Sequence, residues 1–96
     1  MSQPEMKISH TGTKRWYLNG KFHREDGPAI EHFSGEKQWY LHGNLHREDG
    51  PAVVYPDGQK EWYLNNKKVT WKEVFRNANG DLEKDCRILT YALANG

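Results

Sequence analysis

The stretch Trp16-Tyr17-Leu18-Asn19-Gly20-Lys21-Phe22-His23-Arg24-Glu25-Asp26-Gly27-Pro28-Ala29 returns 23 residues later as Trp39-Tyr40-Leu41-His42-Gly43-Asn44-Leu45-His46-Arg47-Glu48-Asp49-Gly50-Pro51-Ala52. It begins a third time at Trp62-Tyr63-Leu64-Asn65, and a glycine stands four residues ahead of each Trp, at Gly12, Gly35 and Gly58. A fixed period in this range marks a chain that stacks one small supersecondary unit on itself, each unit being too small to bury its apolar face alone. The repeat therefore carries the fold.

Within a unit the pattern is that of strands and tight turns. Lys14 to Asn19 is rich in bulky strand formers and runs into Asn19-Gly20, the dipeptide that most favours a two-residue hairpin turn; His42-Gly43 takes that place in the second unit. A short return strand follows, over 21–23 or 44–46. Gly27-Pro28 and Gly50-Pro51 then break the ladder, because proline has no amide to donate to it. In this reading Asp26 and Asp49 bond backbone amides ahead of the glycine, an ordinary turn device. New strands begin at Ala29 and Ala52 and turn back at Gly35 and Gly58 toward the next Trp-Tyr strand. The prediction is a mainly β domain with a helical C-terminus: an antiparallel meander of repeated β-hairpins, about five to seven strands, spanning 7–69.

Residues 70–96 break the pattern and predict a helical cap. Thr70-Trp71-Lys72-Glu73 fits a capping box opening a short helix through Phe75 or Arg76, ended by Asn77-Ala78-Asn79-Gly80. From Asp81, which suits an N-cap or first-turn position, the spacing of Leu82, Cys86, Leu89 and Leu93 predicts a longer helix with these four on its buried stripe.

At 96 residues the chain is one domain, 1–96, that buries roughly 60–65% of its unfolded surface. Its mean hydropathy of −1.03 is low, yet regularly spaced Trp and Tyr supply large rings with a polar end as core material. The net charge of +1 arises from 14 basic and 13 acidic residues, so no overall field gathers nucleic acid or an anionic membrane. Neither a signal sequence nor a membrane span is readable, and a cytoplasmic location is expected. The single cysteine, Cys86, excludes an internal disulfide.

The 23-residue period, the Gly20-Lys21-x-His23 phrase and the recurring glycine and aromatic positions resemble MORN repeats. They are especially similar to the variant repeats common in phage and giant-virus proteins, where HREDGPA replaces the usual HGxG. The resemblance covers residues 7–69, about two thirds of the chain. It implies a β-hairpin array acting as a scaffold or binding surface. It further implies a virus-encoded protein of the host cytoplasm that binds and inhibits a host defence or regulatory protein. No catalytic residue belongs to the motif, so none is carried over.

The residues themselves leave three classes of function in view. HREDG looks chemical, but a unique active site is seldom written twice in one small chain, whereas a turn must be rebuilt in every repeat. Asn19, Gly20, Asp26, Gly27, Pro28, Gly43, Asp49, Gly50 and Pro51 are accordingly read as turn builders, with no catalytic residue, metal or cofactor expected. Trp16, Trp39 and Trp62 recur beside Tyr17, Tyr40 and Tyr63, and neighbours along a strand point to opposite faces. One ladder faces a core and the other faces outward, or both pack internally. With Arg24 and Arg47, these rings are the expected contact with a protein partner, since Trp, Tyr and Arg are the usual anchors of such surfaces. The alternatives are nucleic-acid or nucleotide binding by aromatics interleaved with Lys14, Arg15, Lys37, Lys60, Lys67 and Lys68, and self-assembly through an open sheet edge.

Overall fold

The computed structural model of the chain describes residues 3–95. Met1, Ser2 and Gly96, which the sequence places at the ends of the single domain, lie outside the described residues. The expected meander is present. Ten strands follow in order: β1 (Glu5–Ile8), β2 (Lys14–Leu18), β3 (Lys21–Phe22), β4 (Ile30–Glu31), β5 (Lys37–Gln38), β6 (Tyr40–Leu41), β7 (Asn44–Leu45), β8 (Val53–Val54), β9 (Lys60–Leu64) and β10 (Lys67–Val69). The helices α1 (Trp71–Ala78) and α2 (Leu82–Asn95) close the chain.

The strands exceed the predicted five to seven because each Trp-Tyr strand divides its pairing. In β2, Lys14 and Arg15 pair with β4, while Tyr17 and Leu18 pair with β3. The main sheet runs β1-β2-β4-β5-β8-β9-β10, antiparallel throughout, with β3 attached to β2 and β6-β7 forming a separate hairpin. Strands of equivalent repeats, β2, β5 and β9, are two apart in this order.

The hairpin turns behave as their sequences dictate. Asn19 and Gly20 have φ of 53° and 77°, and His42 and Gly43 have 52° and 84°. Positive φ at both central residues matches the right-handed strand twist, and Asn and Gly reach that region at the least cost. The third unit makes the same turn with Asn65 and Asn66, at 50° and 69°. Successive hairpins are laced together by amides: Gly43 donates to the Phe22 carbonyl and Arg24 to that of Tyr40, and one period on Asn66 donates to Leu45 and Arg47 to Tyr63, all at 2.8–3.2 Å.

The helices close the last repeat around a small core. Val74 and Ile88 are fully buried with Ala78 beside them, and Trp62, Leu64, Val69, Trp71 and Phe75 pack against that cluster. Asp81 caps α2 as expected, accepting the Lys84 amide at 3.1 Å. Three expectations are corrected. The Thr70 side chain makes no capping bond. The first helix runs on to Ala78, stopping where Asn79 turns left-handed with φ 52°. The predicted stripe of α2 faces out: Leu82 is 79% and Leu93 83% exposed, Leu89 lies at the surface, and Cys86 is an exposed free thiol. Ile88 and Ala92 are buried in its place, a roll of about one residue position, roughly 100°. The cause is the second repeat, which holds α2 by its polar flank. No helix among the described residues is long and apolar enough to cross a membrane.

Candidate functional site

The HREDGP phrase folds into one bonded unit, made twice. His23 is buried, and its Nδ1 accepts the His42 amide at 2.9 Å. That leaves the ring proton on Nε2, which donates to Glu25 Oε2 at 3.2 Å. His46 repeats this with the Asn65 amide at 3.0 Å and Glu48 at 2.9 Å. Each imidazole thus ties its own turn to the hairpin of the following repeat, with both nitrogens in use.

The arginines fold back over their own repeat. Arg24 Cζ lies 3.9 Å from the Trp16 ring centroid, and Arg47 Cζ lies 3.9 Å from that of Trp39. Arg24 Nε donates to Asp26 at 2.9 Å and Nη1 to the Pro28 carbonyl at 3.1 Å; Arg47 makes the same pair with Asp49 and Pro51 at 3.0 and 3.1 Å. A stacked cation is worth about 0.5–1 kcal/mol, more where water is excluded. The glycine of each turn exists for this guanidinium: a Cβ on Gly27 would stand 2.9 Å from Arg24 Cζ, and one on Gly50 2.7 Å from Arg47 Cζ. Asp26 and Asp49 therefore bond arginine, where the sequence predicts backbone amides.

The two turns part company in their surroundings. Around the second, Lys84 Nζ donates to Glu48 at 2.8 Å and Arg87 Nη1 to Asp49 at 2.8 Å. Tyr91 adds a second ring to Arg47, with 5.1 Å between Cζ and ring centroid. The bond from Lys84, then that from His46, holds the Glu48 carboxyl below its usual range. Partial burial opposes charge on Asp49, but the bonds from Arg87 and Arg47 outweigh it and its acidity also rises. Around the first turn, among the described residues, no helical side chain bonds to Glu25 or Asp26, which are held by His23 and Arg24. Arg24 Nη1 reaches Glu31 at 3.0 Å, and the Glu25 and Asp26 side chains are 81% and 86% exposed, against 43% and 26% for Glu48 and Asp49.

Between the turns lies an open groove of about 610 Å³, walled by the first turn from His23 to Pro28, by Trp39 and His42, and by the second turn with Lys84 and Arg87. The expected contact residues distribute unevenly around it. Trp39 and both arginines line it, whereas Trp16 is covered by Arg24 and Trp62 belongs to the helical core. The tyrosines occupy the opposite face: Tyr17 stacks on Phe22 at 5.0 Å, and Phe22 lies tilted against Tyr40 at 5.2 Å. Tyr40 donates to Gln38 of β5, and Tyr63 to Glu61 of its own strand β9. All eight expected contact residues are half-buried, so neither ladder stands free. Lys84, Arg87 and Tyr91 are the site residues that sequence reasoning missed. Their spacing of three and four on a helix is a visible signal of one common flank. Among the described residues no three of His, Cys, Asp and Glu are placed to hold a metal ion. Set against protein-family models, curated proteins and solved structures, the chain matches none.

Proposed function

We propose that this chain is a non-enzymatic protein-binding module whose contact surface is the groove between its two HREDG turns. The observation that carries it is the unequal use of one surface: the second turn is engaged by a helix, while the first presents the same charged residues to solvent beside an open groove. Trp and Arg are usual anchors of protein contacts, and Trp39, Arg24 and Arg47 line this groove. Against catalysis weighs the state of both histidines, whose nitrogens are committed to an amide and a carboxylate. Against a phosphate backbone as ligand weigh the exposed carboxylates of Glu25 and Asp26 and the commitment of both guanidiniums to Trp rings. The likeness of the repeat to those of phage and giant-virus proteins supports a host protein as the partner and inhibition in the host cytoplasm as the outcome.

The test is a tagged pull-down from bacterial cytosol, with and without nuclease. One near-stoichiometric protein retained after nuclease is the expected result; co-purifying nucleic acid, or a partner lost on nuclease treatment, would overturn it. Self-assembly is favoured by one observation, the strand β1, which lies at the sheet edge with all four residues exposed. Glu5 and Lys7 on that strand are the charges by which edges resist pairing. Light scattering that shows a monomer at high concentration removes it.

A further inference from the structure

We infer that the open first turn is a docking site for a helix of a partner protein that carries Lys and Arg three residues apart. This rests on the protein-binding reading above and names the chemistry of the partner.

The template is inside the molecule. On the second repeat, Lys84 and Arg87 of one helix satisfy Glu48 and Asp49, with 2.8 Å between charged atoms in each pair. The first repeat offers Glu25 and Asp26 on the same backbone frame, each held only by its own histidine or arginine. One difference refines the match. Where the second repeat has Val54 the first has Glu31, and Glu31 accepts a hydrogen bond from Arg24 Nη1 while the Arg47 guanidinium turns toward the Tyr91 hydroxyl, 3.4 Å away. The incoming helix therefore needs the two cations and not the tyrosine, and meets one more carboxylate than α2 does.

The spacing fits. α2 runs beside the strands, its Lys84 and Arg87 at the second turn and its Tyr91 and Ala92 beside Lys60 and Trp62. Displacing such a helix by one repeat moves it two strands sideways, about 9.6 Å at roughly 4.8 Å per strand. Packed helices stand about 8–10 Å apart, so the second helix would lie against α2. Arg87 lines both the groove and the shallow depression that Cys86 and Thr90 share, so the groove continues along the exposed side of α2. A second copy of this chain is the weaker occupant, because its own Lys84, Arg87 and Tyr91 are already engaged.

The experiment uses the intact protein and, as probe, a stapled fluorescent helical peptide with the sequence of residues 81–95. Saturable binding is expected, weakened at least tenfold by Glu25→Lys with Asp26→Lys, and lost when the peptide instead carries Lys84→Glu and Arg87→Glu. That second arm leaves the protein untouched. Absence of binding at millimolar peptide, or affinity indifferent to both reversals, overturns the inference. A partner captured from cytosol that the Glu25→Lys, Asp26→Lys protein still retains also overturns it, while leaving the protein-binding module standing.

Discussion

The two HREDGPA turns share seven residues and nearly every internal bond, yet one is interior to an interface and the other is surface. Arg47 is 11% exposed and lies over the rings of both Trp39 and Tyr91, and Arg24 is 21% exposed over the ring of Trp16. The internal bonds are the same because they close over two to four residues within one turn, or over 19 residues to the next hairpin. What differs is set by residues far away in sequence, Lys84, Arg87 and Tyr91, and by the single exchange of Glu31 for Val54. A repeated motif thus behaves as a rigid cassette whose function is assigned by what is laid on it.

The comparison is broken most severely by releasing α2. Ile88→Ala empties a fully buried position and should cost about 2–4 kcal/mol, measured by urea unfolding, whereas Leu82→Ala and Leu93→Ala should stay within about 0.5 kcal/mol. A large loss at Leu82 would restore the stripe predicted from spacing. Next in size, Arg47→Ala removes two ring contacts and its bonds to Asp49 and Pro51, and should lower stability by about 3 kcal/mol; Arg24→Ala, with one ring contact, should lower it by about 2. Equal losses would show that α2 adds nothing to the second turn.

Glycine sharpens the same contrast. Gly50→Ala drives a methyl against Arg47 and, at 3.0 Å, against Tyr91 Cε2, whereas Gly27→Ala meets only the flexible Arg24. The first should cost about 1–3 kcal/mol and the second less, read as shifts in melting temperature.

The contrast should also close with acid. Glu48 and Asp49 are more acidic folded than free, so their contribution is present above the ordinary carboxylate range and is lost as pH falls through their lowered folded values. Attachment of α2 should therefore weaken below about pH 4, followed by amide exchange in α2, and Glu48→Gln with Asp49→Asn should flatten that dependence. The smallest effect is a rate: Cys86, exposed on α2, should react with a thiol reagent in the native protein as fast as in urea. Slow labelling would put the helix back in its predicted roll.

Much of this was legible in the chain. The period, the type of hairpin turn at Asn19-Gly20 and His42-Gly43, the antiparallel order and the cap at Asp81 depend on contacts between residues close in sequence, or one period apart, where local backbone preference and spacing carry the information. The role of each HREDG phrase as a turn was also legible, although its aspartates proved to hold arginine and not the backbone.

The roll of α2 was not. Counting apolar residues favours Leu82, Cys86, Leu89 and Leu93, but the helix settles on Ile88 because its polar flank finds Glu48, Asp49 and Arg47 at once. Sequence by itself determined the repeated unit, since every bond that closes it is short-range or periodic. Only the tertiary structure decided which copy is covered and which is left open, because that depends on where a helix more than thirty residues away comes to rest, and two identical turns cannot encode the difference between them.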